Sequence, residues 1–91
     1  MSATLTDIKG WIKKAQDDEC EFLIIGYDTY DHGNFPCYCD SEKQACETLE
    51  RLRKTGNVVD EIYDFSISMD IQLKERRAFH YPKSYKQKGV L

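Results

Sequence analysis

The periodicity of apolar residues along the chain predicts a two-layer α+β domain in the order α-β-β-α-β, with a small antiparallel or mixed sheet and two helices on one face. Three observations lead there. Two segments repeat apolar residues at helical spacing, the run Phe22-Leu23-Ile24-Ile25 has strand length, and residues 63–74 alternate apolar and polar side chains without a fault. Ninety-one residues support one hydrophobic core, so residues 1–82 are read as one domain and residues 83–91 as a loose basic tail.

Thr4 can cap the first helix, where Leu5, Ile8, Ile12 and Ala15 share one side, and its expected span is 5–16. Gly10 lies inside it at a cost of about 1 kcal/mol, so this helix depends on packing. Trp11 borders its apolar stripe, and Asp17-Asp18-Glu19 follow as a polar connection.

Strand one is expected over 20–27, and its unbroken apolar run fits a strand covered on both faces or the centre of a small sheet. The segment 28–34 has turn chemistry throughout, with Gly33 and Asn34 suited to positive φ. Strand two, 35–39, then closes a hairpin; Pro36 places it at a sheet edge because proline cannot donate to a ladder.

Ser41 with Gln44 three residues on matches a capping box, and Glu42 adds negative charge to the first turn. Ala45, Leu49 and Leu52 form the buried stripe, Arg51, Arg53 and Lys54 enrich the last turn, and Gly56 suits the position just past the end, giving a second helix over 42–55. The alternating segment 63–74 follows as strand three. A competing reading starts a short helix at Ser68, with Met69 and Leu73 on one side, and shortens the strand to 62–68. Twelve residues of strand span about 40 Å at ~3.3 Å each, longer than either partner strand. The excess makes 63–74 a candidate edge for homodimer formation or for pairing with a partner's strand.

Charge is segregated along the chain. Residues 1–70 hold fifteen acidic and seven basic side chains, whereas residues 71–91 hold six basic and one acidic, within a net charge of −3. No apolar run approaches the roughly 20 residues of a membrane helix, no basic region followed by an apolar core opens the sequence, and the four cysteines read as reduced thiols. These features point to a cytoplasmic protein with no membrane partner.

Cofactor and catalytic signatures are missing: the sequence has no phosphate-binding loop, dinucleotide fingerprint, nucleophile elbow or H-E-x-x-H helix. The chain is therefore read as non-enzymatic, with no cofactor. His32, Cys37, Cys39 and Cys46 are the candidate metal ligands, although Cys37-Tyr38-Cys39 lacks knuckle spacing. The expected function is a small protein-binding module whose contact surface is the aromatic and acidic hairpin of Tyr27, Asp28, Tyr30, Asp31, Asn34, Phe35 and Tyr38. Its acidic body suits an inhibitor or accessory factor that blocks a basic groove of a nucleic-acid-handling machine, such as one from a phage or mobile element. The alternative is nucleic-acid binding by Arg76, Arg77, Phe79, Tyr81, Lys83, Tyr85 and Lys86, where cations meet phosphates and rings stack on bases. A metal-stabilised interaction module is the third reading.

Overall fold

The computed structural model describes residues 4–75 and 78–85. It contains α1 (Leu5–Asp17), β1 (Phe22–Asp28), β2 (Gly33–Cys39), α2 (Glu42–Lys54), β3 (Val58–Asp64) and α3 (Met69–Lys74). The small α+β domain and its α-β-β-α-β order stand, with a third helix appended. The three strands lie in the order β2-β1-β3, antiparallel throughout.

β1 is the central strand, and its apolar run serves two cores. Leu23 and Ile25 join Tyr63 and the α1 residues Ile8, Ile12 and Ala15 in one cluster. Phe22 and Ile24 join Ile62 and the α2 residues Ala45, Leu49 and Leu52 in the other. Since successive strand residues point to opposite faces, α1 and α2 cover opposite faces of the sheet rather than a single one. A run of four apolar residues requires this, because one-sided coverage would leave two of them in water.

Both long helices are bounded by their own sequence. Thr4 and Asp7 complete a capping box at α1, and the Ser41 side chain accepts from the Gln44 amide at α2. Each helix ends in a Schellman pattern, with Cys20 N–H donating to the Ala15 carbonyl at 2.9 Å and Asn57 N–H to the Leu52 carbonyl at 3.0 Å. The left-handed residue is Gly56 after α2 (φ 80°) and Glu19 after α1 (φ 58°).

The alternating segment 63–74 is not one strand. β3 ends at Asp64, whose Oδ1 accepts from Ser66 N–H at 2.8 Å and Ser66 O–H at 2.7 Å, an Asx turn that diverts the chain. The competing helix is the one that forms, over Met69–Lys74, although the Ser68 side chain makes no cap. Gln72, which the alternation assigned to the wet face, is fully buried, whereas Ile67 and Ile71 are 37% and 58% exposed. Its carboxamide copies a peptide group: Oε1 accepts from Asp64 N–H and Nε2 donates to the Asp64 carbonyl, each at 2.8 Å, with a further bond to the Ile67 carbonyl at 3.1 Å.

Residues 78–85 form a strap over the outer edge of β3. Ile62 N–H donates to the Ala78 carbonyl at 2.7 Å and His80 N–H to the Ile62 carbonyl at 3.1 Å, giving one parallel bridge between Ile62 and Phe79. Ala78 is buried in the α1 cluster and Tyr85 packs on the α2 cluster, so the strap passes from one face to the other. The expected route to a homodimer through strand 63–74 therefore lacks its strand, and the β3 edge is met at Ile62 by the chain itself. Ser84 donates from both its amide and its hydroxyl to Glu42 Oε2. Lys83 and Ser84 are exposed, but this contact and that of Tyr85 hold the beginning of the expected loose tail against the body; residues 86–91 lie outside the described residues.

Replacing Gln72 with leucine keeps the volume but strands the Asp64 N–H and two carbonyls, so urea unfolding should show a loss of about 2–3 kcal/mol. Glu19→Gly relieves a left-handed residue that carries a Cβ, and the same measurement should show a gain of about 1 kcal/mol.

Candidate functional site

The hairpin joining β1 and β2 is built by Asp28. Its Oδ1 accepts from the amides of Tyr30 at 2.8 Å and Asp31 at 3.3 Å, while its carbonyl accepts from His32 N–H at 2.7 Å. The carboxylate thus shapes the turn, which is the ordinary role of aspartate at such a position. The left-handed residue is His32 (φ 57°), not Gly33 or Asn34. Its ring lies 6.4 Å from that of Tyr27, and Nδ1 stands 3.1 Å from the Tyr27 hydroxyl. These bonds fix the loop and leave its apex outside: Tyr30 is 91% exposed and Asp31 is exposed beside it.

The other three hairpin candidates are spent on the fold. Asn34 Nδ2 donates to the Gly26 carbonyl at 3.1 Å and to Asp60 Oδ2 at 3.2 Å. Asp60 is the extra residue of a bulge, since Ile25 faces Glu61 and Gly26 faces Val59. Phe35 lies across Gly26, where an added Cβ would stand 2.5 Å from the ring, and it packs on the α2 side. Tyr38 packs on the α1 side, with the Lys14 ammonium 5.4 Å above its ring. The seven residues therefore do not form one surface. The accessible part is a tip of Tyr27, Tyr30 and Asp31, to which the structure adds His32, a residue the sequence suggested only as a metal ligand.

The metal candidates are dispersed. His32 sits at the turn, while Cys39 lies at the other end of β2, opposite Phe22. Cys37 and Cys39 do share a face of β2, both packing with the α2 cluster. Cys46 meets Ser84, with Sγ 3.5 Å from the hydroxyl oxygen. Among the described residues no three His, Cys, Asp or Glu side chains converge as metal ligands. The four described cysteines are free thiols. Burial raises the thiol pKa of Cys20 and Cys37 and pushes that of Cys39 up to about 11.

Of the tail candidates, Arg76, Arg77 and Lys86 lie outside the described residues. Phe79, Tyr81 and Tyr85 come together as a stack: the first two rings are 6.3 Å apart at 18°, the second two 5.6 Å apart at 11°. Arg53 of α2 donates to the Tyr85 hydroxyl at 3.4 Å, a neighbour that the linear sequence does not announce. A cavity of about 470 Å³ opens at the sheet end away from the hairpin, among Cys20, Phe22, Glu42, Asp64, Phe65 and Lys83. Two of its three acids are engaged, Glu42 with Ser84 and Asp64 with Ser66; the third is Glu21. No helix among the described residues is long and apolar enough to cross a membrane.

The buried thiols give a pH dependence. Cys39 in the fold holds its proton to about pH 11, against an ordinary value of 9.0. The native state thus binds more protons than the unfolded state across that window, and stability falls as pH rises from about 9 to about 11. Cys39→Ala should flatten part of the fall in urea unfolding, with Cys20 and Cys37 and, above pH 10, the buried Tyr63 and half-buried Tyr38 contributing with the same sign; an unchanged slope between pH 9 and 10 would contradict the assignment. Compared with known proteins, the chain has no significant match to a family model, a curated protein or a solved structure.

Proposed function

We propose that this protein is a small non-enzymatic module that binds another protein through its hairpin tip. The observation that carries the reading is Tyr30, a ring 91% exposed at the apex of a turn held by three hydrogen bonds to Asp28. Water-exposed aromatic surface on a fixed loop gains by being covered, and a preformed loop loses little conformational freedom on docking. Asp31 beside it, within a body that carries an excess of eight acidic groups over residues 1–70, favours a partner with a basic surface.

A basic groove that ordinarily holds nucleic acid has that character, so the refined proposal is an inhibitor or accessory factor of a nucleic-acid-handling machine, of the phage or mobile-element type. The charge asymmetry and the small format support this refinement. A cytoplasmic setting accords with four free thiols. For direct nucleic-acid binding by the tail, the near-parallel rings of Phe79, Tyr81 and Tyr85 already cover part of one another's faces, which reduces the area open to bases.

An affinity capture from the native host, run with the unaltered chain and with a Tyr30→Ala, Asp31→Lys double variant, tests the proposal. Both positions are exposed, so the variant should fold with unchanged stability. The unaltered chain should retain a partner that the variant loses, with binding weakened by about tenfold or more in a purified assay. Equal recovery of partners by both chains removes the hairpin tip as the contact surface.

A further inference from the structure

We propose that residues 86–91, which lie outside the described residues, dock along a groove on the outer face of α2. The groove, about 610 Å³, is lined by Cys46, Glu47, Glu50, Arg51, Lys54 and Thr55. These fall in two adjacent rows, 46-50-54 and 47-51-55, so the groove runs along the helix from Cys46 to Thr55. The strap delivers the chain to its Cys46 end. Ser84 Oγ stands 3.5 Å from Cys46 Sγ, Tyr85 packs on the α2 cluster, and residue 86 follows directly. Arg53, two turns on from Cys46, donates to the Tyr85 hydroxyl, so Tyr85 lies along one margin of the groove.

The order of charges fits both this seat and its direction. Glu47 and Glu50 lie in the half of the groove that the chain enters, whereas Arg51 and Lys54 line the farther half. The segment reads Lys86-Gln87-Lys88-Gly89-Val90-Leu91, with its cations first and its apolar residues last. In an extended chain Lys86, Lys88 and Val90 share one side at steps of about 6.6 Å. Helix residues three apart stand about 5–6 Å from each other at their Cβ atoms, so the two lysines can meet Glu47 and Glu50 together. Val90 then arrives about 13 Å beyond Lys86, which is also about the climb of the helix from Cys46 to Thr55. There it covers the methylenes of Lys54 and the methyl group of Thr55. The opposite direction would set the lysines against Arg51 and Lys54. Charge segregation along the chain, acidic through residue 70 and basic after it, adds a general attraction of the same sign.

Alkylation of Cys46 by iodoacetamide, a neutral reagent, tests the seat in the full chain, with the modified site followed by mass spectrometry. Lys86→Glu with Lys88→Glu should raise the Cys46 rate about fivefold, the protection that two exposed ion pairs and a covered valine can give. Adding Glu47→Lys and Glu50→Lys to that variant should slow the reaction again. Local charge works against both changes, because acids beside a thiol slow alkylation and lysines speed it. A second measurement needs no variant: nuclear Overhauser contacts should join the Val90 methyl groups to the side chains of Lys54 and Thr55. An unchanged or lower rate in the double variant, no slowing in the fourfold variant, or absence of the Val90 contacts overturns the proposal. So does a Cys46 rate that rises when the unaltered protein is diluted, which assigns the segment to a second copy of the chain. Tyr30→Ala with Asp31→Lys should leave the Cys46 rate unchanged, so this seat and the hairpin contact fail separately.

Discussion

The amide of one side chain decides where the sheet of this protein stops. Gln72 supplies both an acceptor and a donor to the backbone of Asp64, as a neighbouring strand would, and so closes the last hydrogen-bonding position of β3 without a further strand. Several features depend on that substitution of side chain for backbone. α3 can follow β3 after a tight turn, Met69 and Leu73 can lean on the α1 cluster, and the chain is redirected before the strap. Buried amides are tolerated only when their polar atoms are matched, and here the matching also anchors a six-residue helix that is too short to be stable by itself.

Why the alternation of 63–74 misleads follows from the same residue. Period-two patterning identifies a strand only if polar positions face water. In this segment the polar Gln72 is the most buried member, and Ile71 among the apolar ones is largely exposed. The turn that Asp64 and Ser66 form lies inside the alternation, where the pattern masks it. The elements bounded by short-range chemistry were legible: the caps of Thr4 and Ser41, the stripe of α2 and the left-handed Gly56 all act within a few residues. The coverage of both sheet faces was also written in the run Phe22 to Ile25. What no local signal recorded was which helix lay on which side, since that is fixed by connections between distant segments.

The site was legible in part for the same reason. Asp28 and the exposed apex belong to a local turn, and residue types alone located them. Asn34, Phe35 and Tyr38 are drawn away by long-range partners, namely the bulged Asp60, the bare backbone of Gly26 and the Lys14 side chain. Likewise the pairing of Arg53 with Tyr85 spans 32 residues, and the stacking of three rings emerges only once the strap is laid on the sheet. Composition identified aromatic and charged groups correctly; their division into separate surfaces is a property of the fold.

The two outer edges of the sheet are protected by unlike means, and the difference sets an order of opening. β2 carries Pro36 within its length, a permanent interruption that needs no other part of the chain. β3 depends on the strap, which returns after α3 and holds by two backbone hydrogen bonds at Ile62. Lifting the strap leaves the β1 to β3 ladder intact, whereas losing β3 removes the strap's seat. Strap detachment is therefore the smallest cooperative opening at this edge, and amide exchange at Ile62 and His80 reports it ahead of global unfolding. Each such event uncovers the outer backbone of β3 at Ile62, which the strap otherwise pairs from within the chain.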